Sequence, residues 1–159
     1  MIPLKNEFPE YFHYHGRKIS KKISKANLNI LNKFYYKYFI DEELIYFHKK
    51  KIETKKHLIF KNYSRKINLE IGFGDGEFLI KNAISNPEEI FIGVEVYLNG
   101  IVKVLKEILN SNIQNIKLCN LNSIYLLKTL PKKSVDKIYI INPDPWIKKR
   151  HHKRMPRSH

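Results

Sequence analysis

Short runs rich in β-branched residues over 67–71, 90–96, 116–119 and 137–141 predict four strands. The stretches between them over 76–86 and 97–110 are amphipathic and predict helices, with Ile101, Leu105 and Ile108 on one face of the second. Residues 122–130 read as a short helix or turn and 131–134 as a polar connection. The fourth strand is expected to stop at Asn142-Pro143, because proline has no N–H to give the ladder. Strands alternating with helices predict a parallel α/β sheet, and four strands in βαβ order make half of a doubly wound one.

The first 60 residues follow a different pattern. They are dense in aromatics and lysine, with no glycine between Gly16 and Gly72. A basic stretch, Gly16-Arg17-Lys18-Ile19-Ser20-Lys21-Lys22, precedes Asn27, beyond which Leu31, Tyr35 and Tyr38 recur at helical spacing. This predicts a basic arm followed by a helix. Aromatic stripes usually bury, so these rings are expected to pack on the main domain. The chain therefore divides into a basic, aromatic-rich arm and helix over 1–60 and an α/β domain over 61–159, with no internal repeat.

Composition narrows the function classes. Hydrophobic residues make up 43% and aromatics 13%, enough for a packed core and too much for a disordered basic tail. The apolar run at 138–141 falls far short of the roughly 20 residues of a membrane-spanning helix, so no membrane role is expected. Lys5, Glu7 and Glu10 near the start do not read as a secretory signal, and the expected compartment is the cytoplasm. Cys119, the single cysteine, rules out an internal disulfide and a cysteine-built zinc site and is expected to be buried. Lys and Arg outnumber Asp and Glu by 30 to 15, a net charge of +15, which fits either a polyanionic partner or a lysine-biased surface.

Three segments carry candidate chemistry. Leu69-Glu70-Ile71-Gly72-Phe73-Gly74-Asp75-Gly76 sets three alternate glycines between a predicted strand and a predicted helix, where a ligand needs close approach to the backbone. Glu77 stands where a G-x-G-x-x-G fingerprint wants its last glycine, which weakens a pyrophosphate-binding reading, and with no Gly-Lys-Ser/Thr after the turn a P-loop is absent. Glu95 falls at the carboxyl end of the second strand, where a carboxylate can accept from both ribose hydroxyls of a nucleoside. Third, Asn142-Pro143-Asp144-Pro145-Trp146 runs into Ile147-Lys148-Lys149-Arg150-His151-His152-Lys153-Arg154. Its two prolines stiffen the backbone around Asp144, and its cationic side chains are suited to phosphates. The adjacent histidines lack the partners that a metal site would need.

The acidic residue before G-x-G-x-G and the second acid resemble the S-adenosylmethionine site of class I methyltransferases. With 93–96, 134–136 and Pro143-Asp144-Pro145-Trp146 plus the Lys-Arg-His run, residues 66–154 resemble the bacterial single-subunit tRNA (guanine-N7-)-methyltransferases. The resemblance implies a class I Rossmann-like doubly wound sheet that binds S-adenosylmethionine and methylates N7 of a guanine in the tRNA variable loop. It places Glu70, Gly72, Gly74, Gly76, Glu95, Asn122 and Asp144 at the cofactor, with Glu70 near the methionine end and Glu95 on the ribose. Asp144 would also be catalytic, and Lys148, Lys149, Arg150, His151 and Arg154 would contact substrate. Asn122 departs from the family's usual aspartate and keeps an acceptor oxygen without the charge. The chain closes soon after Asp144, whereas the family normally continues through three more strands, so the resemblance implies an incomplete, C-terminally truncated sheet of the first four strands. A complementing C-terminal polypeptide would supply the rest. The competing expectation is an inactive remnant that binds nucleic acid without catalysis, and a third is a methyltransferase for another substrate, prompted by Asn142-Pro143.

Overall fold

The computed structural model describes residues 23–40, 65–120, 123–130 and 132–141. Helix α1 (Lys25–Tyr38) is followed by β1 (Ile67–Ile71), α2 (Glu77–Ser85), β2 (Ile90–Val94), α3 (Leu98–Asn110), β3 (Ile116–Cys119), α4 (Ser123–Thr129) and β4 (Lys137–Tyr139). The four strands form one parallel sheet in the order β3-β2-β1-β4. This is the expected half of a doubly wound sheet. All four strands point the same way, so their carboxyl ends share one edge, the edge at which open α/β sheets bind ligands.

Side chains on successive strand residues face opposite ways, and that alternation splits the core in two. On one face Phe91, Ile116 and Leu118 pack with Leu79 and Ala83 of α2, Leu98, Ile101, Leu105 and Ile108 of α3, and Leu31 and Tyr38 of α1. On the other, Ile67, Leu69, Ile90, Ile92, Val94 and Cys119 gather around Leu126 of α4 and Ile40. Ile101, Leu105 and Ile108, placed on one helical face by their spacing, have no exposed surface at all. Cys119 is buried as expected.

Local signals explain the helix ends. Ser24 caps α1 by accepting from the Asn27 N–H at 3.2 Å. At the end of α3, Asn112 takes a left-handed φ of 51° and the Ile113 N–H reaches back to the Ile108 carbonyl at 2.9 Å, closing the helix in a Schellman-type turn. The chain leaving α1 bridges in parallel to β3: Phe39 pairs with Leu118, and the Ile40 N–H donates to the Leu118 carbonyl at 2.8 Å. That contact covers the outer edge of β3. The aromatic stripe of α1 thus joins the main core, with Phe34 and Tyr35 partly buried against it. None of the described helices is long and apolar enough to cross a membrane.

Two strands are shorter than their sequence runs. β2 stops at Val94 rather than 96, because the Glu95 carboxylate captures the amides of Val96 and Tyr97. β4 stops at Tyr139, which pairs with Glu70; Ile141 would lie opposite Gly72, where a φ of 72° turns the neighbouring chain out of the sheet. Ile138, Ile140 and Ile141 remain exposed.

At the amino edge of the sheet, Asp136 and Ile67 exchange two hydrogen bonds, each 2.8 Å, that start β4 beside β1. Asn115, 7% exposed, directs its amide nitrogen at the carbonyls of Ala83, Asn86 and Glu89, at 2.9, 3.1 and 3.0 Å. This one side chain ties the end of α2 and the turn into β2 to the start of β3. Asn115→Ala strands those carbonyls and is expected to cost about 2 kcal/mol in a urea titration. A midpoint equal to the parent's would show that the staple contributes nothing.

Candidate active site

The carboxyl edge is built around the glycine loop. Gly72, Gly74 and Gly76 have φ values of 72°, 56° and 75°, so alternate residues lie in the left-handed region that other residues resist. They serve two purposes. A Cβ on Gly72 or Gly74 would meet nothing within 4 Å, so the backbone there borders open space. A Cβ on Gly76 would overlap Val104 Cγ2, so this glycine lets the loop sit against α3.

α3 braces the loop at three points, Gly100 and, one turn further on, the adjacent Lys103 and Val104. Gly100 lies so close that a Cβ would overlap the Gly74 carbonyl oxygen, Lys103 pairs with Asp75 at 2.8 Å, and Val104 meets Gly76. Gly93 of β2 has a similar role beneath the loop, where a Cβ would come within 2.5 Å of Leu79 Cδ2 and 2.8 Å of Phe73 Cδ1.

The two predicted acids both lie at this edge and behave differently. Glu70, on β1, pairs with Gly93 on one side and Tyr139 on the other, and is 4% exposed. Its Oε2 is buried with no hydrogen-bond partner, and burial pushes its carboxyl up from the usual 4.5 to about 7. Glu95 is instead held by backbone. Its Oε2 accepts from the Gly74 N–H at 2.9 Å, and its Oε1 accepts from the Val96 and Tyr97 N–H groups at 2.7 and 2.9 Å. A carboxylate has about four acceptor positions, so roughly one remains for a ligand hydroxyl.

Two further buried acceptors were not singled out by the sequence: Oδ1 of Asn99, in the first turn of α3, and Oδ1 of Asn120, the residue after β3, both without a partner. Polar atoms buried in this way are usually satisfied, and acceptors left over near the carboxyl ends of the strands suit the donors of a small molecule. Of the remaining predicted site residues, Asn122, Asp144, Lys148, Lys149, Arg150, His151 and Arg154 lie outside the described residues, as does the stretch from Gly16 to Lys22.

Residues 64–155, more than half of the chain, match a protein family described as "Putative methyltransferase". The chain belongs to this family. Over 140 residues, 88% of the chain, it is 44% identical to a bifunctional methyltransferase of Rickettsia prowazekii, and the match covers 24% of that protein. It is 43% identical over 98 residues to a tRNA (guanine-N(7)-)-methyltransferase of Neorickettsia sennetsu, covering 62% of this chain and 45% of the relative. A protein of the same name from Rhodopseudomonas palustris is 47% identical over 88 residues, covering 55% of this chain and 34% of the relative. The chain thus spans between a quarter and just under a half of the length of these curated relatives. The matched family segment includes the glycine loop, Glu70 and Glu95.

The two acids give separate tests. Folded Glu70 keeps its proton up to about pH 7, while the unfolded chain releases it near 4.5, so the folded state binds the extra proton between those values. Stability therefore falls as pH rises from about 4.5 to 7 and has no further contribution from Glu70 above that. Glu70→Gln, which cannot titrate, should remove a Tm decrease of roughly 5 °C across this interval. Identical pH profiles for the two proteins would contradict the assignment. For Glu95, replacement by Gln turns one acceptor oxygen into a donor and breaks at least one loop contact. Amide exchange at Gly74 should then speed up by about tenfold or more, and unchanged protection would show that the carboxylate does not hold the loop.

Proposed function

We propose that this chain carries the cofactor-binding part of an enzyme that transfers a methyl group from S-adenosylmethionine to N7 of a guanine in the tRNA variable loop. The observation that carries the reading is a glycine loop bordering open space above a buried carboxylate that has no partner. The choice of tRNA is supported by the Pro143-Asp144-Pro145-Trp146 turn, by its basic continuation, and by two relatives that bear that activity in their names. The reading of a noncatalytic remnant draws no support from the comparisons.

The described residues fit the cofactor. Glu70 Oε2 would accept from the cationic methionine end, where a positive charge would offset the cost of ionising a buried acid. Glu95 would meet a ribose hydroxyl with its remaining acceptor position, and Gly72 and Gly74 would let the ligand approach their backbone. Asn120 Oδ1 and the side chain of Asn122 are the candidate acceptors for the adenine amino group. When bound, S-adenosylmethionine supplies a methyl group on a sulfonium sulfur.

Guanine N7 has a free lone pair, so the protein need remove no proton from the attacking atom. Positive charge moves onto the purine as the methyl transfers, and a carboxylate fixed between two prolines at Asp144 would stabilise that change electrostatically. Alignment of N7 with the methyl group contributes the remainder by proximity. Lys148, Lys149, Arg150, His151 and Arg154 would hold the RNA phosphates, with affinity falling as salt rises. The exposed isoleucines at the β4 edge are where strands of a complementing polypeptide would join the sheet.

The test is transfer of labelled methyl from S-adenosylmethionine to unmodified tRNA, with the product mapped for N7-methylguanine. Asp144→Ala should cut transfer about a hundredfold while leaving tRNA affinity within about twofold of the parent. Equal losses of transfer and binding would refute the role of Asp144. Folded protein that binds neither cofactor nor tRNA would refute the proposal.

A further inference from the structure

The core uses only one side of α1. Leu31 and Tyr38 are buried, and Ile30, Phe34 and Tyr35 pack partly against the same cluster. The opposite side carries Lys25, Asn29, Asn32, Lys33, Tyr36 and Lys37, all exposed and recurring at the helical period along about 18 Å of helix. Folding does not require this face to be basic or aromatic, and no carboxylate lies within α1.

We propose that this outer face of α1 is a docking surface for single-stranded RNA, on which Tyr36 stacks an unpaired base while Lys33 and Lys37 hold the flanking phosphates. The inference rests on the reading that the substrate is an RNA, and it adds a contact surface away from the methyl-transfer site.

Tyr36 is 84% exposed, the most exposed large apolar residue among those described. Its ring is nevertheless braced: it meets Tyr35 edge-on at 5.6 Å, and Tyr35 stacks on buried Phe39 at 5.0 Å and 15°. A ring coupled to the core through two aromatic contacts loses little freedom when a base stacks on it. The two lysines beside it are held as well, with Lys33 Nζ 5.4 Å from the Phe34 ring centre and Lys37 Nζ 5.0 Å from that of Tyr38. Among the described residues neither ammonium pairs with a carboxylate.

A third cation sits behind them. Lys117 of β3 donates to the Lys37 carbonyl at 2.6 Å, and its ammonium is held below the usual lysine range by burial and by the charge of Lys37. Lys117, whose ammonium feels the charge of Lys37, adds to a positive field that a phosphate would neutralise. Position also favours the assignment. The last turn of α1 ends beside Leu118, one residue short of the carboxyl end of β3, on the same sheet edge as the glycine loop. A membrane surface would call for a broad apolar face on this side of the helix, which is absent. An acidic peptide would need the charges but not the held ring.

The experiment measures binding of labelled unmodified tRNA to the full chain by fluorescence anisotropy over a salt series, with heparin and phosphatidylserine vesicles in parallel. Tyr36→Ala should weaken tRNA binding about tenfold with the salt slope and heparin affinity unchanged, and Tyr36→Phe should bind like the parent. The Lys33→Ala/Lys37→Ala pair should lower the salt slope by about 1.5. The proposal is overturned if Tyr36→Ala binds tRNA within about twofold of the parent, if heparin is lost equally, or if only vesicle binding responds. Thermal melts that match the parent would exclude unfolding, as the exposure of Tyr36 predicts. Methyl transfer separates the two readings. A parent that methylates tRNA and tolerates Tyr36→Ala sinks this surface alone, whereas Tyr36-dependent binding without N7-methylguanine sinks the methyl-transfer reading alone.

Discussion

Three backbone N–H groups converge on the Glu95 carboxylate, and the shape of the ligand edge depends on that convergence. The amide of Gly74 comes from the loop after β1, while those of Val96 and Tyr97 lead into α3. One side chain therefore sets the distance between the two segments that wall the open space over Gly72 and Gly74. It does so at the expense of its own strand, since amides bound to a side chain are lost to the ladder and β2 ends at Val94. The braces along α3 act in the same direction: Gly100 and, one turn on, Lys103 and Val104 receive the loop. Because a left-handed φ at alternate residues strongly favours glycine, the glycine run and the clasp suit each other.

Much of this was legible in the residues, and the parts that were not share a physical cause. Periodicity found the strands, α1, α2 and α3, because each buries a face whose spacing repeats within a few residues. It placed Ile101, Leu105 and Ile108 correctly, and the glycine run with its two acids stood out through residue type alone. Asn115 did not. Its three carbonyl partners lie on segments up to 32 residues away, and one asparagine before a strand carries no periodic signal. Gly100 was missed likewise, although a glycine in the first turn of an amphipathic helix is a hint that another backbone approaches there. The extra residues assigned to β2 and β4 show the converse error: the β2 run continues past the point where the Glu95 carboxylate takes the next amides, and the β4 run past the point where the partner chain turns away.

The two edges of the sheet differ in a way that bears on how the chain meets other molecules. Beyond β3, the bridge at Phe39 and Ile40 satisfies backbone groups and seals the edge with buried side chains. Its outward surface is then left to helix α1, whose exposed side chains are lysines, asparagines, one alanine and one tyrosine. Beyond β4 the described residues present isoleucine instead, with Ile138 and Ile140 more than half exposed. Polar, cationic surface suits a solvated polyanion, whereas an apolar strand edge suits more protein. The chain thus separates its two kinds of surface to opposite sides of one small sheet.

The contrast between the acids at the ligand edge follows from how each carboxylate is solvated by the protein. Glu95 accepts from three N–H dipoles that replace water, whereas Glu70 is buried between β2 and β4 with no donor for Oε2. Its raised pKa means that part of the population is neutral at physiological pH. A cationic ligand binds only the ionised fraction well, so its binding must expel a proton and its affinity must rise with pH through about 7. A ligand that accepts a hydrogen bond from the protonated acid would show the opposite trend. The unpartnered oxygen that makes Glu70 costly in the free protein would in this way favour a positively charged ligand at this edge.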